Sequence, residues 1–92
     1  MIQSFACAET EALFTTGKTR RFSGIKAIAE RKLQQLDSAA TLEFLRSPPG
    51  NRLEALSGDR LGQYSIRINL QWRVCFIWTD LGPANVEIVD YH

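Results

Sequence analysis

Histidine and cysteine are scarce in this sequence. It contains one histidine and two cysteines among 92 residues, and Cys7 and Cys75 lack the paired spacing of a zinc site or a CxxC redox motif. Both cysteines stand among apolar residues, where a free thiol behaves mainly as a small hydrophobe. We therefore expect two buried free thiols in a protein of a reducing, intracellular compartment.

Long apolar runs, a charge excess and internal divisions are also missing. Nowhere do about 18 apolar residues follow one another, and no basic segment leads into an apolar run, so we expect neither a membrane helix nor a signal peptide. The formal net charge is only +1, which excludes an acidic disordered segment and a uniformly basic coat protein. No repeat or linker divides the chain, and we expect one soluble domain over residues 1–92.

The first part of the chain has a mainly helical pattern. Residues 2–5 form a short segment that is half apolar, and this favours an opening strand. From Ala8 the apolar residues follow a helical spacing, and Gly17 is placed to end that helix. A longer helix is predicted from Ser23, as its N-cap, to Ser38.

The second part changes to the pattern of strands. A short helical piece at 40–45 is expected to end at the SPPG stretch, 47–50, because its prolines forbid continuation. Apolar residues then alternate with a period of two, which predicts three strands: 63–69, 72–78 and 85–91. Gly82 and Pro83 mark the turn before the last of these. The prediction is an α+β fold, in which an N-terminal strand and a C-terminal three-strand antiparallel meander pack against two N-terminal helices.

The strand pattern also predicts a register. If the large apolar side chains share one face, Ile68 pairs with Trp72 and residues 69–71 form a three-residue turn. This register places Arg67 directly opposite Arg73. Two like charges at facing positions are unfavourable by up to roughly 1 kcal/mol, unless an anion lies between or over them.

The same reasoning extends to the end of the chain. Pairing Trp78 with Val86 across the next turn brings Tyr91 close to Arg73. The only histidine and an acid would then adjoin this polar face at the end of the last strand: His92 and Asp90. The register therefore predicts an ordered site at this rim, with groups that can handle a phosphate.

A basic stretch covers residues 18–32. It holds six basic residues against one acid, a local excess of five positive charges, formed by Lys18, Arg20, Arg21, Lys26, Arg31 and Lys32 against Glu30. One interpretation is a solvated helix face. The other is a surface that docks on the phosphate backbone of a nucleic acid.

One long pattern is more specific than any short motif. It reads L-x-x-L-x-G-x-R-x-G-x-x-S-I-R-x-N-x-x-W-R, and is carried by Leu53, Leu56, Gly58, Arg60, Gly62, Ser65, Ile66, Arg67, Asn69, Trp72 and Arg73. With the terminal Asp90, Tyr91 and His92, it resembles the HigB branch of the RelE/ParE superfamily of bacterial toxins. The likeness spans essentially the whole chain.

This resemblance implies a RelE-like fold and a toxin of a type II toxin-antitoxin pair in the bacterial cytoplasm. Such a toxin is a ribosome-dependent endoribonuclease, which cleaves messenger RNA in the A site and so inhibits translation. Its partner is a HigA-like helix-turn-helix antitoxin, through which alone it binds operator DNA. The resemblance implies no metal, organic cofactor or membrane association, and the sequence offers no clustered ligands for a metal.

The resemblance also implies roles for site residues. Arg73 would hold the scissile phosphate and stabilise its developing charge, as a planar, permanently charged fork of donors can. His92 suits proton transfer near neutrality. Asp90 could orient His92 or take the proton itself, and Tyr91 could stack on a base or donate to the phosphate.

The chain departs from the family at two positions. Well-studied members have a histidine where this chain has Glu54 and a lysine where it has Ser57. Glu54 could act as the general base, but a carboxylate near the target phosphate would also repel it. RNA contacts are expected from Arg67, from the basic residues Lys18, Arg20, Arg21 and Lys26, and from Arg60, which could instead pin its own loop.

Two other functions stay open on the sequence alone. A ParE-like toxin has the same fold but inhibits DNA gyrase and cleaves no RNA; Arg73 with the acid, phenol and imidazole at the chain end argues against it. A catalytically weak toxin that acts mainly as an antitoxin-bound co-regulator is the second, since Glu54 replaces a histidine.

Overall fold

A computed structural model describes residues 1–90 of the chain. It has two helices, α1 (Ala8–Thr16) and α2 (Lys26–Ser38). They are followed by four strands: β1 (Glu54–Ala55), β2 (Tyr64–Arg67), β3 (Trp72–Thr79) and β4 (Gly82–Asp90). The strands form one antiparallel sheet in the order β1-β2-β3-β4. The predicted α+β class is confirmed.

Both predicted helices form, but the second begins differently. Gly17 ends α1 in a left-handed conformation, φ 72°, and its N–H donates to the Leu13 carbonyl, as the sequence predicts. Residues Ser23–Ile25 form a 3-10 turn, and the α-helix begins only at Lys26. Ser23 is therefore not the N-cap. Phe22, which is fully buried, holds this turn through its carbonyl, which accepts the Ile25 N–H at 3.0 Å.

Three further 3-10 turns lie between α2 and the last three strands. They span Glu43–Arg46, Pro49–Asn51 and Gly58–Arg60. The first of them replaces the helical piece predicted at 40–45.

The predicted strand at 2–5 is replaced by a single parallel bridge between Phe5 and Val86. The chain leaves the edge of β4 early because α1 begins soon after. The Thr10 hydroxyl, on α1, accepts the Ile88 N–H at 3.1 Å, so a helix covers this part of the edge. The fourth strand of the sheet is instead β1, which pairs with β2 at the opposite edge.

The register between β2 and β3 is the predicted one, and the register between β3 and β4 is not. Arg67 lies directly opposite Arg73. Trp78 pairs with Pro83 and not with Val86, because β4 begins at Gly82 after a two-residue turn, and the ladder is irregular between Cys75 and Ile77. As a result Val89, and not Tyr91, is the β4 partner of Arg73.

The core lies between the two helices and one face of the sheet. It is formed by buried apolar side chains, among them Leu13, Phe22, Leu33, Leu36, Ile66, Val74, Phe76 and Ile88. Trp72 and Trp78 pack against this core. The ring of Trp72 meets Phe22 edge to face, with 5.6 Å between ring centroids, an arrangement that aromatic pairs prefer.

Replacement of Gly82 by alanine is expected to lower the free energy of unfolding by about 2 kcal/mol or more. Gly82 has φ 134°, and an added Cβ would lie 2.2 Å from the Met1 carbonyl oxygen. The matched control is Gly24→Ala, because an added Cβ there meets nothing within 4 Å. Urea unfolding followed by circular dichroism measures both variants, and equal midpoints would contradict this prediction.

Candidate active site

Arg73 lies on the face of the sheet that points away from the helices, and its side chain is only 8% exposed. Its Nε donates to the Ser65 hydroxyl at 2.7 Å, and its Nη2 donates to the Arg52 carbonyl at 2.6 Å. A strand neighbour and a loop carbonyl thus fix the plane of the guanidinium. An arginine held in this way needs little reorganisation to meet an anion.

Glu54 is the second charged group at this site. Strand β1 places it opposite Ser65, and its Oε1 lies 3.2 Å from Nη2 of Arg73. The Glu54 side chain is 49% exposed. The carboxylate is therefore in contact with both the guanidinium and solvent, where it can accept a proton or compete with an incoming phosphate.

The structure brings Arg67 to the same part of the sheet. It is partly buried and faces Arg73 in the ladder, as the register predicts. The pair with Glu54 offsets part of the like-charge repulsion between the two arginines. An anion bound over both arginines stays a prediction.

The terminal residues are only partly described. Asp90 is the ladder partner of Trp72, so it lies at the rim on the helix side of the sheet and not on the face that carries Arg73. Its Oδ2 accepts a hydrogen bond from Nε2 of Gln71 at 3.1 Å. Tyr91 and His92 lie outside the described residues, and their predicted roles stay predictions.

Arg60 makes a loop-pinning contact. Its Nη1 donates to Oε1 of Glu87 at 2.8 Å and to Oε1 of Gln63 at 3.0 Å. These contacts tie the turn Gly58–Arg60 to β4. The sequence left open whether this residue touches RNA or holds its loop; the holding contact is present, and an RNA contact stays a prediction.

The basic stretch is mostly on the surface. Four of its predicted RNA-binding residues are exposed: Lys18, Arg20, Arg21 and Lys26. Arg21 pairs with Glu9 at 3.0 Å, and an open cavity of about 380 Å³ beside α1 is lined by Glu9, Ala12, Lys18, Thr19 and Arg20.

Lys32 has a different role from the other basic residues of this stretch. It is partly buried and donates to the Asn51 side chain. Burial, with a smaller contribution from Arg31, lowers its pKa. It therefore belongs to the interior polar contacts and not to the basic surface.

Cys75 lies between Ser65 and Glu87 in the ladder. Burial is the main cause that raises its pKa above the ordinary value of 9.0; Glu87 adds to the rise, and Arg60 and Arg73 oppose it. Cys75 is buried as expected, whereas Cys7 is only partly so.

The Cys75 thiol is expected to make the protein less stable in alkali. A raised pKa in the folded state means that the unfolded chain loses this proton first, so the contribution is complete below pH 9.0 and is lost as pH rises further. We expect the free energy of unfolding of Cys75→Ala to fall less between pH 8 and about pH 10.5 than that of the native chain. Parallel slopes in urea unfolding would refute this.

The sequence missed two groups that hold Arg73. Ser65 belongs to the pattern that resembles the HigB branch, but the sequence alone predicts no role for it, although the strand register places it beside Arg73. The Arg52 carbonyl is a backbone group, and no side-chain pattern signals it. Among the described residues, no three His, Cys, Asp or Glu side chains are grouped to hold a metal, and no helix is long and apolar enough to cross a membrane.

Comparison with known proteins decides the family. Residues 3–92 match the family described as "RelE-like toxin of type II toxin-antitoxin system HigB". The chain belongs to the HigB toxin family. This HigB-family chain is 48% identical over 70 residues to Toxin HigB-1 of Vibrio cholerae serotype O1. The aligned segment covers 76% of the chain and 73% of that relative.

A second relative covers the full length. Endoribonuclease HigB of Proteus vulgaris is 33% identical over 97 residues, which span all of both proteins. An uncharacterized protein of Haemophilus influenzae is 37% identical over 54 residues, 59% of this chain and 54% of that relative. The predicted family is confirmed: the protein is a HigB toxin of a type II toxin-antitoxin system, with an antitoxin as partner.

Proposed function

We propose that this HigB toxin is an endoribonuclease that cleaves messenger RNA in the A site of the translating ribosome, without a metal ion. The observation that carries the proposal is the preorganised Arg73, held by Ser65 and the Arg52 carbonyl with a carboxylate 3.2 Å away. The full-length similarity to a protein named Endoribonuclease HigB supports it. The site is proposed to work in the bacterial cytoplasm.

In the proposed reaction, the 2′-hydroxyl of the RNA attacks the adjacent phosphorus and the 5′-oxygen leaves. Arg73 binds the non-bridging phosphate oxygens and stabilises the charge that builds up on them. Because two hydrogen bonds already fix its guanidinium, the entropy of ordering this side chain is lost on folding and not at the moment of reaction.

Proton transfer is assigned to the carboxylate and the imidazole. Glu54 takes the proton of the 2′-hydroxyl, since its partly exposed carboxylate lies beside the guanidinium that holds the phosphate. His92 gives a proton to the departing 5′-oxygen, with Asp90 orienting it and Tyr91 stacking on a base.

Charged surface outside this site is proposed to hold the ribosomal complex. Arg67 faces Arg73 and extends the positive charge along the sheet. The exposed basic residues between 18 and 26 bind the phosphate backbone of RNA. The neutralising partner is a HigA-like helix-turn-helix antitoxin, through which the toxin reaches operator DNA.

A second candidate is favoured by one observation. In the described structure the half-exposed Glu54 carboxylate lies 3.2 Å from Nη2 of Arg73, where it repels a phosphate. A toxin braked in this way would act mainly as an antitoxin-bound co-regulator.

Primer extension on messenger RNA from stalled ribosomes tests the proposal with the purified toxin. Cuts within the A-site codon, absent when free messenger RNA replaces the ribosomal complex, are the expected result. Absence of cuts on ribosomes would refute the proposal. A gyrase supercoiling assay is run in parallel, and inhibition of DNA gyrase in that assay would indicate a ParE-like activity.

A further inference from the structure

We infer that Asn51 and Arg52 are positioning residues, which link helix α2 to the Arg73 guanidinium and hold it in the orientation that catalysis needs. The catalytic importance of this orientation rests on the proposed function, whereas the contacts that hold the guanidinium do not. The path runs from α2 through the buried Asn51 side chain to the backbone of Arg52, and from there to Arg73.

Asn51 is a buried polar junction. Its side chain is fully buried, and its Nδ2 donates to the carbonyls of Leu45, at 3.1 Å, and Ser47, at 3.3 Å. Two side chains of α2 complete the junction: Gln35, whose Oε1 accepts from Nδ2, and Lys32, which donates to Oδ1. Since unpaired buried polar groups are costly, this network fixes the loop on the helix.

Arg52 converts this fixed loop into a contact with the site. It has φ 44° and ψ 56°, a left-handed conformation that a residue with a Cβ adopts only when its surroundings impose it. Its N–H donates to the Pro49 carbonyl at 3.2 Å, and its own carbonyl accepts from Arg73. The left-handed residue therefore aims a carbonyl at the guanidinium, while its exposed side chain takes no part in that bond.

A matched pair of variants separates the backbone from the side chain. Arg52→Gly and Arg52→Val lose the same charge, but glycine adopts φ 44° freely and the β-branched valine does not. We expect the Arg73 Nε–H signal in a proton–nitrogen correlation spectrum to shift or broaden in the valine variant relative to the glycine variant. The signal is assigned by its loss in Arg73→Lys.

The catalytic readout is the split between kcat and KM for cleavage on the ribosome. The valine variant should have a kcat about tenfold below that of the glycine variant, with KM within about twofold, because a displaced guanidinium weakens the transition state more than binding. A lower folded fraction alone would leave the Arg73 signal of the folded molecules unchanged.

A milder variant covers the case in which Arg52→Val does not fold. Gln35→Ala removes two bonds, from its Nε2 to the Ser47 carbonyl, 2.6 Å long, and from Nδ2 of Asn51 to its Oε1, 3.2 Å long, and should move the same signal. Gln34→Ala is its control, since Gln34 bonds Ser38 within α2. An Arg73 signal that is the same in all of these proteins would overturn the inference. A native toxin that makes no cut would refute the proposed function, and the spectrum would still decide the positioning.

Discussion

Arg73→Ala is expected to lower messenger-RNA cleavage on the ribosome by about 10²- to 10³-fold, the usual effect of removing a preorganised donor to a developing oxyanion. Arg73→Lys should lose nearly as much, because an ammonium cannot bridge the Ser65 hydroxyl and the Arg52 carbonyl while it holds a phosphate. Single-turnover cleavage of a stalled ribosomal complex measures both variants.

The matched control is Arg46→Ala. Arg46 is another paired arginine, 3.0 Å from Glu43, but both side chains are largely exposed. We expect native cleavage from it, since a surface pair of this kind contributes little. Circular dichroism must show that the Arg73 variants are folded. Rapid cleavage by a folded Arg73→Ala protein would remove Arg73 from the mechanism.

Glu54→Gln is expected to lower kcat by about 10²-fold or more, the usual contribution of a positioned general base. The amide keeps the size of the side chain and can still accept from Arg73, but it cannot take the 2′-hydroxyl proton. Glu54→His should retain much of the activity, because a neutral imidazole is a base near pH 7, and its rate should rise with pH through about 6.5.

Glu43→Gln serves as the control for this carboxylate, since Glu43 is paired with an arginine at a mostly exposed position. Native cleavage by Glu54→Gln would show that position 54 is peripheral. Faster cleavage by Glu54→Gln would favour the second candidate, in which the carboxylate brakes the toxin by repelling the phosphate.

The parts of the fold that depend on side-chain periodicity could be predicted from the sequence. The α1 end at Gly17 and the facing of Arg67 and Arg73 follow from a helical cap and from alternating apolar residues. The register of β4 could not be predicted, because the turn before it has only two residues and Trp78 therefore pairs with Pro83. The irregular ladder between Cys75 and Ile77 then moves the remaining pairs by one residue.

The candidate site shows the same division. Arg73 could be identified because the sequence gives its charge and the alternating apolar residues predict its register position. The contact with Glu54 depends on the short strand β1, which has only two residues and no periodic signal. The Arg52 carbonyl depends on a backbone angle that an arginine rarely adopts, so only the folded chain reveals it.

The hydrogen bond from the Ile88 N–H to Thr10 has a consequence for how the toxin behaves at high concentration. β4 is an edge strand rich in β-branched residues, the type of edge that recruits strands from other molecules into aggregates. With the Phe5 bridge on one stretch and the Thr10 hydroxyl on the next, this edge is occupied within the chain. Truncation of the segment before α1 should therefore promote self-association through β4.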